Sequence, residues 1–131
     1  MSRKKILVID DEPAVHRLLQ IILADEGFDI VGMEGHEGSG NVVSRSKPDL
    51  IILDIRMPEV DGLEVLSMLK SDEETSNIPV IILTASGRHG DKEMARRLGA
   101  ERYFTKPFQP AELLKAIRAL CPTRDASHCT G

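Results

Sequence analysis

The sequence contains no tryptophan, one tyrosine and three phenylalanines, so aromatic residues make up only 3% of its 131 positions. Few rings are left for stacking on bases, and a formal net charge of -4 opposes a sequence-independent grip on a phosphate backbone. Direct contact with nucleic acid is therefore not expected. Cysteine is equally scarce: Cys121 and Cys129 both lie near the C-terminus, where they cannot staple a core, and no metal-ligand spacing accompanies them. No histidine is placed to activate either thiol as a nucleophile. This usage fits a reducing cytoplasm. Long hydrophobic runs are missing too. The basic start, Met1-Ser2-Arg3-Lys4-Lys5, leads into an apolar stretch that stops at Asp10, too short for a signal sequence or a membrane span. A lipid partner is not expected, and no internal repeat or low-complexity tract appears.

What is present is enough for one core. At 131 residues and 41% hydrophobic content the chain suits a single compact domain. The apolar patterning supports a domain over residues 1–121, followed by a tail over 122–131 that lacks it and is expected to be mobile. Short β-branched runs read as buried strands at Lys5–Ile9, Asp49–Leu53 and Pro79–Leu83, with a weaker strand at Phe28–Met33 and a short one at Arg102–Thr105. Helical spacing lies between them. Val15, Leu18, Leu19, Ile22 and Leu23 mark a helix opened at Pro13 and stopped at Gly27. Gly35, Gly38 and Gly40 make a second helix short or irregular, while Leu63, Leu66 and Leu69 mark a third after a loop enclosed by Pro58 and Gly62. Asp91 is read as the cap of a fourth, ended by Gly99, and Leu113, Leu114, Ile117 and Leu120 set the apolar face of a fifth from Pro110. Cys121 finishes that face. Strands alternating with helices at such intervals imply an α/β fold, a parallel sheet with helices on both faces.

In such sheets ligands sit beyond the carboxyl ends of the strands, where strand order reverses. The residues at those ends are Asp10-Asp11, Asp54, Thr84 and Lys106. Acids after a strand often do no more than cap the next helix, so neither Asp10-Asp11 nor Asp54 is informative alone. The set is. Two unit charges about 4 Å apart repel by roughly 4 kcal/mol at an effective dielectric of 20, so converging carboxylates require a cation. A hard divalent ion with oxygen ligands answers that need, and magnesium, bound through one or two carboxylates plus phosphate oxygens, suits the donor set best.

These residues, with Met57-Pro58 and Asp61-Gly62 after Asp54, Ala85 after Thr84, and Pro107-Phe108 after Lys106, resemble a response-regulator receiver domain over about residues 4 to 121. Each piece is weak, but the ordered set is specific. The resemblance implies a flavodoxin-like doubly wound sheet of five parallel strands in the order 2-1-3-4-5, an arrangement the general rule for open sheets already illustrates with a chemotaxis relative. It also implies a phosphorylation switch rather than an enzyme that turns over a substrate. Asp54 accepts the phosphoryl group from a phosphohistidine, on a sensor histidine kinase or a histidine phosphotransfer protein. Asp11, Asp54 and the backbone carbonyl of Arg56 bind magnesium, with Asp10 acting mainly through water. Lys106 neutralises a phosphoryl oxygen, and Thr84 swings toward the group once it forms. Tyr103 occupies the position where the family carries an aromatic ring that turns inward as the threonine moves. The Lys106–Pro107 bond resembles the family's cis peptide. The output is a changed surface over the fourth helix, fifth strand and fifth helix, read by a downstream protein or an output domain, with a phosphorylation-dependent homodimer as one form of response. Within 131 residues there is no room for an additional output domain, so the sequence reads as a stand-alone receiver or a piece of a larger protein.

Two features stand apart from the family pattern. Arg56, two residues after the expected acceptor, is either an exposed arginine with no role or a cation in position to screen a phosphoryl group from water or from a partner, and the glycines between 35 and 40 disturb the second helix. His16 is read as a solvated helix position, and His36, His89 and His128 have no ligand spacing. A phosphohydrolase with an aspartyl-phosphate is the main rival, but Arg56 stands where its general acid would be. A structural interaction module is the other, and the complete acidic site argues against it.

Overall fold

The computed structural model describes residues 4–34, 43, 45–57 and 60–121. β1 (Lys4–Ile9) leads into α1 (Pro13–Ala24), then β2 (Phe28–Met33) and β3 (Leu50–Leu53). A two-residue antiparallel ladder, β4 (Arg56–Met57) with β5 (Val60–Asp61), precedes α2 (Gly62–Ser71). β6 (Val80–Thr84), α3 (His89–Arg97), β7 (Arg102–Thr105) and α4 (Pro110–Leu120) complete the order. The main sheet runs β2-β1-β3-β6-β7, with every pairing parallel. Counting only its own five strands, that is the order 2-1-3-4-5. The reversal falls between β1 and β3, so the ends of those two strands flank the crevice in which such folds bind ligands.

Residues 6–9, 50–53 and 80–83 are apolar throughout because both faces of the sheet are covered there, and their period of two divides the core into two layers. Ile6, Val8, Leu50, Ile52, Ile81 and Leu83 point to one face, against Leu19 and Leu23 of α1, Phe28, and Leu113 and Ile117 of α4. Leu7, Ile9, Ile51, Leu53, Val80 and Ile82 point to the other, against Val65, Leu66 and Leu69 of α2, Ala95 of α3 and Val43. Each such side chain contributes about 1.5–3 kcal/mol relative to leaving it exposed. β7 continues the alternation, with Phe104 on the first layer and Tyr103 on the second.

Local signals account for the element ends. Pro13 opens α1, and Gly27 (φ +91°) turns the chain after it. Asp61 caps α2, its carboxylate accepting the Leu63 N–H at 2.9 Å. Gly99 (φ +108°) follows α3. Asp91 departs from expectation: α3 begins at His89, with no side-chain cap at Arg88, and Asp91 sits inside the first turn. The expected second helix lies mostly outside the described residues, although Val43, Arg45 and Ser46 have helical backbone. Pro58, the glycines at 35, 38 and 40, His36, His128, Cys129 and the tail also lie outside them. No helix among the described residues is long and apolar enough to cross a membrane.

Cys121 is 4% exposed and closes the layer under α1 and α4, as its place on the apolar face predicts. Burial pushes its thiol pKa up. Because the thiolate is the reactive form, a Cys129→Ser chain is expected to react with a disulfide reagent at pH 8 about tenfold or more slowly when folded than when unfolded. Release of the reporter thiol measures both rates, and equal rates would contradict the packing.

Candidate functional site

Asp10 follows β1 and is almost fully buried. Its N–H donates to the Met33 carbonyl at 3.1 Å, extending the sheet by one residue and turning the carboxylate inward. Asp54 follows β3, equally buried, and its N–H donates to the Ile9 carbonyl at 2.9 Å. Lys106 follows β7, and its N–H donates to the Thr84 carbonyl at 2.7 Å, tying the ends of β6 and β7 together. The Lys106–Pro107 bond is cis, as the resemblance implies.

The Lys106 ammonium has three protons and three carboxylate partners: Glu12 Oε1 at 2.7 Å, Asp10 Oδ2 at 2.9 Å and Asp54 Oδ2 at 3.1 Å. The remaining carboxylate oxygens of the two aspartates find backbone donors. Asp10 Oδ1 accepts the Glu12 N–H at 2.9 Å, and Asp54 Oδ1 accepts the Arg56 N–H at 2.8 Å. Burial pushes the Asp10 carboxyl pKa up, opposed by hydrogen bonds from Lys106 and the Glu12 N–H. Burial pulls the Lys106 ammonium down, but hydrogen bonds to Glu12 and Asp10 and the charges of Asp10 and Asp54 outweigh it, and the net shift is upward.

Glu12 is not among the residues that the sequence points to here. It belongs to the visible acidic run Asp10-Asp11-Glu12, yet it is the third acid, not the second, that returns to the lysine. The carboxylates of Asp10, Glu12 and Asp54 lie within 4.8 Å of one another. Asp11 lines an adjoining cavity of about 670 Å³ that shares Glu12 with this cluster and whose polar wall also includes Arg56, Asp61 and Asp91. The acidic groups here offer only oxygen atoms, and they outnumber the cations Arg56 and Lys106, so the site fits a hard divalent cation such as magnesium.

His16 corrects another expectation. It is half-buried, and its Nε2 donates to the Asp10 carbonyl at 2.7 Å, which places the ring proton on that nitrogen because a carbonyl only accepts. The ring lies against Gly32, where a Cβ would come within 2.6 Å of Nδ1.

Thr84 is fully buried at the end of β6, and its hydroxyl oxygen accepts the Ser86 N–H at 3.3 Å. The Tyr103 hydroxyl donates to the Ser86 carbonyl at 2.7 Å, and burial raises the phenol above its ordinary value of 10.0. Ser86 Oγ donates to Asp91 Oδ2 at 2.5 Å, and that oxygen also lies 3.9 Å from the Nε atoms of both Arg56 and Arg88. So the structure brings Asp10, Asp54 and Lys106 into direct contact, with Thr84 joined to Lys106 through the backbone and Tyr103 joined to Thr84 through Ser86. The Arg56 side chain turns to Asp91, not to the Asp54 carboxylate.

Gly62 completes the site from beneath. A Cβ there would lie 2.3 Å from Ile55 Cα and 2.7 Å from the Asp54 carbonyl oxygen, so α2 rests directly on the backbone that presents Asp54.

Residues 6–118 match the response regulator receiver domain family, and the chain belongs to that family. It is thus the receiver domain of a two-component response regulator, a signalling switch. Among curated relatives, the DNA-binding dual master transcriptional regulator RpaA of Synechocystis is 43% identical over 122 residues, 92% of this chain and 50% of that protein. The phosphate regulon transcriptional regulatory protein PhoB of Pseudomonas aeruginosa is 38% identical over 120 residues, 92% of this chain and 52% of its own length. The chain spans about half the length of the curated relatives it matches. The BeF3-activated N-terminal receiver domain of Klebsiella pneumoniae RstA superposes with a TM-score of 0.82 at 29% identity, covering 90% of this chain and 99% of that one.

Proposed function

We propose that Asp54 accepts a phosphoryl group from a phosphohistidine, carried by a sensor histidine kinase or a histidine phosphotransfer protein, and that the modified chain presents an altered surface over α3, β7 and α4. The observation that carries this reading is the setting of Asp54. A nearly buried carboxylate at the switch point of the sheet is held by the Lys106 ammonium on one oxygen and the Arg56 N–H on the other. An Asp54 oxygen attacks phosphorus as the phosphorus–nitrogen bond breaks, and the imidazole nitrogen keeps the electron pair. Lys106, already seated among the carboxylates, stabilises the phosphoryl oxygens by charge, and the Thr84 hydroxyl has one proton to donate to them. Asp11, Asp54 and the Arg56 carbonyl would hold magnesium, with Asp10 acting through water, and the ion would supply the further positive charge that phosphoryl transfer requires. Attack by water on the acyl phosphate resets the switch, so the chain modifies only itself.

Two packings of the α3, β7 and α4 surface then differ in population according to the state of Asp54. A downstream protein or an output domain reads the difference, or a second copy does so as a phosphorylation-dependent homodimer. DNA binding is stated in the name of RpaA. For the residues of this chain no direct nucleic-acid or membrane contact is proposed, and the cytoplasm is its proposed place.

Incubation with acetyl phosphate and magnesium, followed by peptide mapping, tests the reading. Label is expected on Asp54, absent without magnesium and absent in Asp54→Asn. Label that persists in Asp54→Asn would overturn the assignment.

A further inference from the structure

The backbone of Asp10 is held from two sides. Its N–H donates to the Met33 carbonyl at the end of β2, and its carbonyl accepts the His16 Nε2 proton, at 2.7 Å, from the first turn of α1. That carbonyl belongs to the planar peptide unit joining Asp10 to Asp11, so fixing its oxygen fixes the direction in which Asp11 leaves it. The imidazole reaches the oxygen because β2 leaves it room. Phe28 and Ile30 of β2 belong to the layer under α1, and the alternation of the strand puts position 32 on the same face. Glycine stands there. A Cβ on Gly32 would come within 2.6 Å of His16 Nδ1 and 3.1 Å of Cε1, so the ring fills the place of the side chain that β2 lacks. Glycine inside a strand weakens it, and the close approach of another group is a recurrent reason for its presence.

We infer that His16 is a positioning residue for the metal site: through the Asp10–Asp11 peptide it aims Asp11 into the cavity that Asp11 lines, and the missing side chain at Gly32 is what admits it. The inference rests on the proposed role of Asp11 as a magnesium ligand. The Asp10 and Asp54 carboxylates need no such help, because Lys106 and the N–H groups of Glu12 and Arg56 already hold them. Asp11 is different. Among the described residues nothing donates a hydrogen bond to its carboxylate, so its aim is set by the backbone that carries it. Groups that orient a metal ligand contribute to affinity without touching the ion, and His16 stands in that relation to Asp11.

Calorimetric titration with magnesium chloride, without any phosphodonor, reads the effect. His16→Leu removes the donor and is expected to weaken magnesium binding about tenfold, the lower end of what losing an outer partner of a metal ligand costs. His16→Gln, whose amide nitrogen stands about as far along the side chain as Nε2, should recover most of that loss. Gly32→Ala should weaken binding as His16→Leu does, but in a His16→Ala background it should add nothing, because the ring it collides with is gone. A His16→Leu chain that binds magnesium as wild type does, or a loss that His16→Gln does not recover, would overturn the inference. Asp11→Asn distinguishes the two failures: if wild type binds no magnesium, or Asp11→Asn binds it as tightly, it is the metal reading that falls. Hydrogen exchange in chelator then still decides whether His16 holds the peptide. The Asp10 amide should exchange about fivefold or more faster in His16→Leu than in wild type, as a locally loosened segment does, and at close to the wild-type rate in His16→Gln. Equal rates in His16→Leu and wild type count against the positioning role.

Discussion

Gly62→Ala is expected to destabilise the chain by about 3 kcal/mol, at the upper end of what overpacking costs. Helix propensity alone predicts the opposite sign, since alanine is favoured over glycine inside a helix by about 0.5–1 kcal/mol. The geometry decides between them. The added Cβ meets Ile55 Cα at 2.3 Å and the Asp54 carbonyl at 2.7 Å, and neither is the end of a flexible side chain. α2 or the segment after β3 must move, and that segment carries Asp54. Labelling of Asp54 should therefore slow together with the loss of stability. Gly90→Ala is the control: it lies in α3 with nothing within 4 Å of where the new methyl group would sit, so it should stabilise by about 0.4–1 kcal/mol. Urea midpoints of the two variants measure both numbers. A stabilised Gly62→Ala chain would refute the close approach.

Lys106→Met is expected to cost about 3 kcal/mol in the absence of divalent cations, the usual scale for removing one partner of a buried ion pair. Asp10 and Asp54 are 2% and 3% exposed and would lose the ammonium they share, while Glu12 is exposed enough to turn to water. Millimolar magnesium should recover part of that loss, because a cation that binds only the folded chain stabilises it by mass action. The wild-type lysine contributes on a definite side of the pH scale. Its folded pKa lies above the ordinary 10.5, so its stabilisation is complete below pH 10.5 and lost as the pH rises through the folded value. Thermal denaturation at pH 7 with and without magnesium gives the comparison. A variant as stable as wild type in chelator would show that the three carboxylates do not depend on Lys106.

The strands and their ends are legible in the sequence because a sheet covered on both faces writes itself as short, continuous apolar runs. Arg102–Thr105 and the start of α4 at Pro110 agree with the sequence reading to the residue, and Asp10, Asp54 and Lys106 converge because strand ends in a parallel sheet share one edge. Contacts made across the fold are not legible. Nothing local says that Glu12 rather than Asp11 reaches Lys106, since that depends on how the chain turns into α1. Asp91 reads as a cap from its neighbours, but its oxygen is held by Ser86 and approached by Arg56 from the other side of the cavity. His16 depends on the missing side chain at Gly32, which lies on the next strand of the chain. The ladder between Arg56 and Asp61 is too short for any periodicity to mark it.

The alternation along β7 has a consequence for how the molecule tolerates change. Tyr103 and Phe104 are adjacent in the chain but belong to opposite layers, so an adjustment of the tyrosine ring acts directly on the layer of α2 and α3 and reaches that of α1 and α4 only through the strand itself. The sheet acts as a bulkhead. One compartment is free to be tuned for response while the other is tuned for endurance, and substitutions that strengthen the second need not be weighed against the first.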